Sequence, residues 1–190
     1  MEKSVPAPPV GDTDEADLVR LAQEDPSTFA ALYQLYLSRV YNYVRARLAS
    51  EEEAADLTQQ IFLQALNALP AYQARGTPFA AWLFQIARNA VIDHYRRRKR
   101  FVSWDALPGM FHAPPGQEEI DALLIHRERL ARLKTLVARL APFERELLAL
   151  RFAAGLSSPE IAQVVGKSPA AVKKQLTRLL HALKEQYSEQ

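Results

Sequence analysis

The sequence predicts an all-α protein of two small helical domains joined by a short linker. Apolar residues recur at spacings of three and four along most of the chain, helix-capping signatures stand in front of several of these runs, and a stretch rich in Pro and Gly breaks the period at residues 101–117. With 190 residues, of which 48% are apolar, the chain has enough material for packed cores.

Residues 1–13 hold Pro6, Pro8, Pro9 and Gly11 without an apolar period and read as a disordered tail. A short helix is expected over 14–24, stopping at Asp25-Pro26, where Asp25 caps the next helix and Pro26 takes its first position. That second helix lines up Phe29, Leu32, Tyr33, Tyr36, Val40, Tyr43 and Val44 on one stripe. Ser50 opens a third helix as the first residue of a Ser-x-x-Glu capping box with Glu53, and Glu51, Glu52 and Glu53 suit the positive end of its dipole. Its apolar stripe is Ala54, Leu57, Ile61, Ala65 and Leu69. A fourth helix, from Thr77-Pro78 to about Arg100, is expected to bury Phe79, Trp82, Leu83, Ile86, Ala90 and Val91. These four helices make a first domain over 14–100.

The linker, residues 101–117, carries Phe101, Trp104, Met110 and Phe111, so it is less polar than a simple spacer. A helix over 118–140, with Ile120, Leu123, Leu130, Leu133, Val137 and Leu140, then opens a second domain that continues to residue 190. Pro142 to Ala154 reads as a helix with Leu147, Leu148, Leu150 and Phe152 inside, stopped by Gly155 where a left-handed backbone is needed. Ser157-Ser158-Pro159-Glu160 is a second capping box, starting a short helix through Val165. Gly166 ends it, and Ser168-Pro169 starts a longer helix to about residue 186. Two helices joined by so tight a turn follow the helix-turn-helix plan.

Composition narrows the function. There is no cysteine, and the four histidines (His94, His112, His126, His181) are too far apart to pair on one helix, so no metal or cofactor is expected and a reducing, cytoplasmic, nucleoid-associated setting fits. The N-terminus lacks the apolar core of a signal peptide, and no stretch reaches the roughly 20 apolar residues of a membrane span, so a protein without membrane insertion is expected. An enzyme is disfavoured: there is no Gly-rich phosphate loop, no Gly-x-Ser-x-Gly and no His-Glu-x-x-His, and the carboxylates Glu51, Glu52, Glu53 and Asp56 read as a helix cap and solvated face. Net charge is only +2, from 24 basic and 22 acidic residues, but Arg88 and the run Arg96, Arg97, Arg98, Lys99, Arg100 concentrate positive charge. Such a block is either a solvated helix end or a phosphate-binding surface, and the mutual repulsion of consecutive cations favours the latter.

In a helix-turn-helix the second helix enters the major groove. Here Ser168 caps it, Lys173, Lys174, Thr177 and Arg178 lie on one side, and Val172, Leu176, Leu179 and Leu183 lie on the other and are expected to pack inward. The alternative is that these cations merely solvate a surface helix. Upstream, the loop Tyr72-Gln-Ala-Arg-Gly-Thr-Pro with Arg75, and Asn89 on the helix after it, offers aromatic, guanidinium and amide groups suited to unstacked bases. Trp82, between Phe79 and Ile86, reads as core rather than as a stacking platform.

The segments Leu140-Ala-Pro-Phe-Glu-Arg-Glu-Leu-Leu-Ala-Leu-Arg-Phe, Gly155-Leu-Ser-Ser-Pro-Glu-Ile-Ala and Val172-Lys-Lys-Gln-Leu together resemble region 4 of bacterial sigma-70 family transcription initiation factors. Asp56-Leu-Thr-Gln-Gln-Ile-Phe resembles region 2.2, and the run from Phe79 through Asn89 and His94-Tyr95-Arg96-Arg97 resembles regions 2.3 and 2.4. The resemblance covers about residues 14–187 in family order. With only a short linker between the halves and no other folded domain before them, it is similar to the extracytoplasmic-function (ECF) group.

The resemblance implies a region 2-like domain and a region 4-like helix-turn-helix domain, with RNA polymerase core (β′ clamp and β flap), promoter DNA and an anti-sigma factor as partners. It places core docking on Asp56, Gln59, Gln60 and Phe62, with Gln60 standing where the family pattern usually has an acid. The −10 element falls to Arg75, Arg88, Asn89, Arg96, Arg97 and Arg100, and the −35 element to Ser168, Lys173, Lys174, Thr177 and Arg178. A dimeric helix-turn-helix regulator that acts without polymerase would account for the second half of the chain but not for the basic run beside the 72–78 loop.

Overall fold

The computed structural model describes residues 15–74, 76–99 and 132–188, with side chains placed through 97 in the middle segment. Within these residues every regular element is helical: α1 (Glu15–Glu24), α2 (Phe29–Arg45), α3 (Glu51–Ala68), α4 (Phe79–Lys99), α5 over 132–138, α6 (Pro142–Leu148), α7 (Ser158–Val165) and α8 (Pro169–Ser188). The expected tail, linker, Ile120, Leu123 and Leu130 lie outside the described residues.

Local chemistry sets the helix ends. The Asp25 side chain accepts the Ser27 N–H at 2.9 Å, and Pro26 leads a single 3-10 turn into α2. The Ser50 hydroxyl accepts the Glu53 N–H at 3.2 Å, which fixes the start of α3. At α7 the box is reciprocal: the Ser157 N–H donates to Glu160 at 2.7 Å and the Glu160 N–H to the Ser157 hydroxyl at 3.4 Å. Gly166, at φ +67°, supplies the left-handed residue that ends α7 and turns the chain into α8.

The expected stripes of α2 and α3 are buried, with Tyr33 half-exposed at the edge. α2 packs between α1 and α3, and α3 packs on α4. Gln23 on α1 donates to the Leu69 and Tyr72 carbonyls at 3.0 and 2.7 Å, so the first helix is tied to the far end of α3. Two α4 expectations need correction. Trp82 and Ile86 are only half-buried and sit against the core edge, whereas Phe84 is fully buried at its centre. In Phe79–Ile86 only Gln85 is polar, too little to mark which residues point inward.

A third correction falls on Phe152. The helix α6 widens into a π turn over Ala149–Ala153, where the Ala154 N–H reaches the Ala149 carbonyl at 2.9 Å. The extra residue in that turn rotates Phe152 away from the face shared by Leu148, and it is 59% exposed rather than inside.

α7 packs against α4, and the π turn against α2, so the core residues of both halves form one continuous apolar cluster. A smaller cluster joins Leu136 and Val137 of α5 to Leu148, Leu179 and Leu183. Arg132 seals its end by donating to the Tyr187 carbonyl at 2.6 Å while stacking over the Tyr187 ring.

Candidate nucleic-acid interface

The second helix of the helix-turn-helix, α8, is divided as its sequence period requires. Val172, Leu176, Leu179 and Leu183 are buried, and Lys173, Lys174, Thr177 and Arg178 are exposed. Ser168 starts the helix by accepting the Ala171 N–H at 3.2 Å. The Thr177 hydroxyl donates back to the Lys173 carbonyl at 3.0 Å.

On α3, Asp56, Gln59 and Gln60 are exposed on the side opposite the core, at helical spacings of three and four. Phe62 does not join them. It is 4% exposed and packs edge-on against Tyr33 at 4.7 Å and Phe29 at 6.4 Å, so it supports the helix from behind. Leu63 completes the outer face instead, at 60% exposure. Sequence reasoning missed it, although its place three and four residues after Gln60 and Gln59, off the stripe of Ile61 and Ala65, marks it.

The upstream group is only partly brought together. The Tyr72 hydroxyl donates to the Thr77 carbonyl at 2.7 Å and its ring lies 4.9 Å from Trp82, which pins the loop before α4. Asn89, Arg96 and Arg97 are exposed on α4. Arg96 meets Asp93 at 3.6 Å, an exposed pair one turn apart that holds it only weakly. Arg75 and Arg100 lie outside the described residues, and nothing is described of the Arg98 and Lys99 side chains.

Arg88 is half-buried and faces the helix-turn-helix half. Its Nε lies 3.8 Å from the carboxylate of Glu146, which also meets Arg47 at 3.1 Å and accepts from the Tyr43 hydroxyl at 2.7 Å. Glu146 is 5% exposed, a burial that sequence reasoning did not foresee. Burial, with the Glu146 charge beside it, holds the Tyr43 hydroxyl well above its usual value, and burial together with the Glu15 carboxylate that accepts from it does the same for Tyr36.

Because both phenols keep their protons in the folded chain at a pH where an unfolded chain releases them, their contribution is complete below about pH 10 and is lost above it. Chemical denaturation is expected to give a level plateau from about pH 7 to 9 and a decline above about pH 10 that is shallower in Tyr43→Phe. Equal slopes for the two proteins would contradict the assignment.

A cationic α8 behind a capped α7 defines a DNA-binding protein of the helix-turn-helix class. The family model for sigma-70 region 2 matches residues 32–101, and that for sigma-70 region 4 matches residues 130–183. The chain is 35% identical over 153 residues to the ECF RNA polymerase sigma factor SigD of Mycobacterium tuberculosis, covering 77% of this chain and 71% of SigD. To the ECF sigma factor BldN of Streptomyces coelicolor it is 34% identical over 169 residues, 87% of this chain and 64% of BldN. The solved structure of CnrH in complex with the cytosolic domain of CnrY superposes with a TM-score of 0.65 at 25% identity, covering 90% of this chain and 96% of that one. The chain belongs to the sigma-70 family, in the ECF group of RNA polymerase sigma factors.

Proposed function

We propose that this chain binds RNA polymerase core, carries it to particular promoters and assists opening of the DNA. The observation that carries the reading is the outer face of α3, where Asp56, Gln59, Gln60 and Leu63 stand together on the same chain as a helix-turn-helix. An apolar residue ringed by polar groups fits the make-up of a protein-docking patch, and a regulator acting on duplex DNA alone leaves this face of α3 without a role. Docking on the β′ clamp is assigned to this face, −35 contacts to α8, contact with the β flap to the α6–α8 half, and −10 contacts to Asn89, Arg96 and Arg97. This work makes no bond and needs no cofactor; opening is driven by binding the unstacked strand. Among the described residues no helix is long and apolar enough to cross a membrane, and the place of action that goes with this reading is the cytoplasm. Control by a protein of the anti-sigma type is part of the same reading.

The double variant Gln59→Ala/Gln60→Ala is expected to keep its helix content and to bind core polymerase about tenfold more weakly, the factor that corresponds to about 1.4 kcal/mol. Undiminished co-purification with core would place the docking surface elsewhere. For the basic end of α4, Arg97→Ala is expected to weaken holoenzyme binding about equally at all promoters and to flatten the dependence of log affinity on log salt by about one unit. An unchanged slope would return the run to a solvated helix end.

A further inference from the structure

The Glu146 cluster joins the two halves of the chain. Tyr43 and Arg47 belong to α2, Arg88 to α4, and Glu146 to α6, so one carboxylate serves two guanidinium groups and a phenol. The cations are under-supplied, since neither the Arg47 nor the Arg88 Nε has a hydrogen-bond partner. Around them α7 covers α4: Gln85 donates to the Gln163 carbonyl at 3.1 Å, and Gln163 donates to the Gly76 carbonyl at 2.8 Å. Arg39 donates to the Ala154 carbonyl at 2.8 Å. The loop before α4 and Arg88, both assigned to single-strand contacts above, are therefore engaged by the helix-turn-helix half.

We infer that Arg47, Arg88 and the Tyr43 hydroxyl form a binding site for a DNA backbone phosphate, which the Glu146 carboxylate fills from within while the two halves are closed together. The inference rests on the DNA-binding reading above. A guanidinium fork donates to carboxylate and phosphate oxygens with the same geometry, so the two anions compete for one place. Parting the halves without a replacement leaves two half-buried guanidinium groups and the Tyr43 phenol without their shared acceptor, at the cost of those charge-assisted hydrogen bonds. A phosphate of the bound strand removes that cost, so nucleic acid favours the open arrangement by its differential affinity for it. Arg47 thereby joins the DNA-contacting residues, and Glu146 restrains the protein until DNA is present.

The chain has no cysteine, so dyes placed through Ser38→Cys and Lys184→Cys, both exposed, report on the separation of α2 and α8. In the otherwise unaltered full chain, a short single-stranded DNA oligonucleotide is expected to lower energy transfer. Glu146→Gln, which keeps the shape and removes the charge, is expected to lower transfer without DNA and to bind the oligonucleotide about tenfold more tightly, within the range of ordinary coupling between sites. Adding Arg47→Ala to Glu146→Gln is expected to cancel that gain.

Unchanged transfer in Glu146→Gln, or a full gain in the double variant, would overturn the inference. If Glu146→Gln lost helix content by circular dichroism, the unaltered chain decides: transfer that does not fall on adding the oligonucleotide overturns it. No polymerase enters these readouts. Loss of core binding with intact opening would count against the sigma reading alone, and the converse against this inference alone.

Discussion

Phe84→Ala is expected to lower the stability of the chain by about 3–5 kcal/mol, the usual cost of deleting a fully buried aromatic ring and leaving a cavity. Phe84 is 0% exposed, meets the Tyr43 ring edge-on at 5.6 Å, and lies under the Arg39 guanidinium at 5.8 Å. The loss reaches both halves, because Tyr43 carries the hydrogen bond to Glu146 and Arg39 the one to Ala154. Urea denaturation followed by circular dichroism and by tryptophan fluorescence is the appropriate measurement. A loss under about 1 kcal/mol would mean that the site collapses without a cavity and that Phe84 is not central.

The second large effect is expected at α8, and it separates reading of the sequence from attraction to the backbone. Lys173, Lys174 and Arg178 are exposed while Val172, Leu176, Leu179 and Leu183 anchor the opposite side, so at least one of the cations is expected to reach a base edge. Replacing that residue by Ala is expected to cost about 1–3 kcal/mol and to relax preference at a single base pair, whereas a phosphate contact costs affinity at every sequence equally. Selection of upstream promoter elements by holoenzyme made with each single variant distinguishes the two. Uniform loss of affinity in all three, with every base preference kept, would remove these residues from the reading role.

Much of this arrangement is legible in the sequence because it rests on local rules. The stripe Val172, Leu176, Leu179, Leu183 follows from the helical period, the starts at Ser50, Ser157 and Ser168 from side-chain caps, and the end at Gly166 from a backbone that L-residues avoid. What escaped depends on partners distant in the chain or on a break in the period. Glu146 reads as a solvated helix residue until Tyr43, 103 residues earlier, is brought against it. Phe152 follows Leu148 by four residues and is misplaced only because the π turn alters the period between them. Phe62 enters the docking group only by likeness to a motif, and its place against the aromatic rings of Tyr33 and Phe29 is set by partners on α2. Leu63, one residue on, takes the exposed place.

Whether this chain gives core polymerase its choice of promoter is decided by run-off transcription from a pool of genomic promoter fragments, with core polymerase alone and with core plus the protein. The expected result is a limited set of transcripts that depend on the protein, share upstream and downstream elements, and decline when Gln59 and Gln60 are both replaced by Ala. Core whose transcripts are unchanged by the protein, together with tight duplex binding by a dimer of the protein without polymerase, would contradict it and favour a helix-turn-helix regulator.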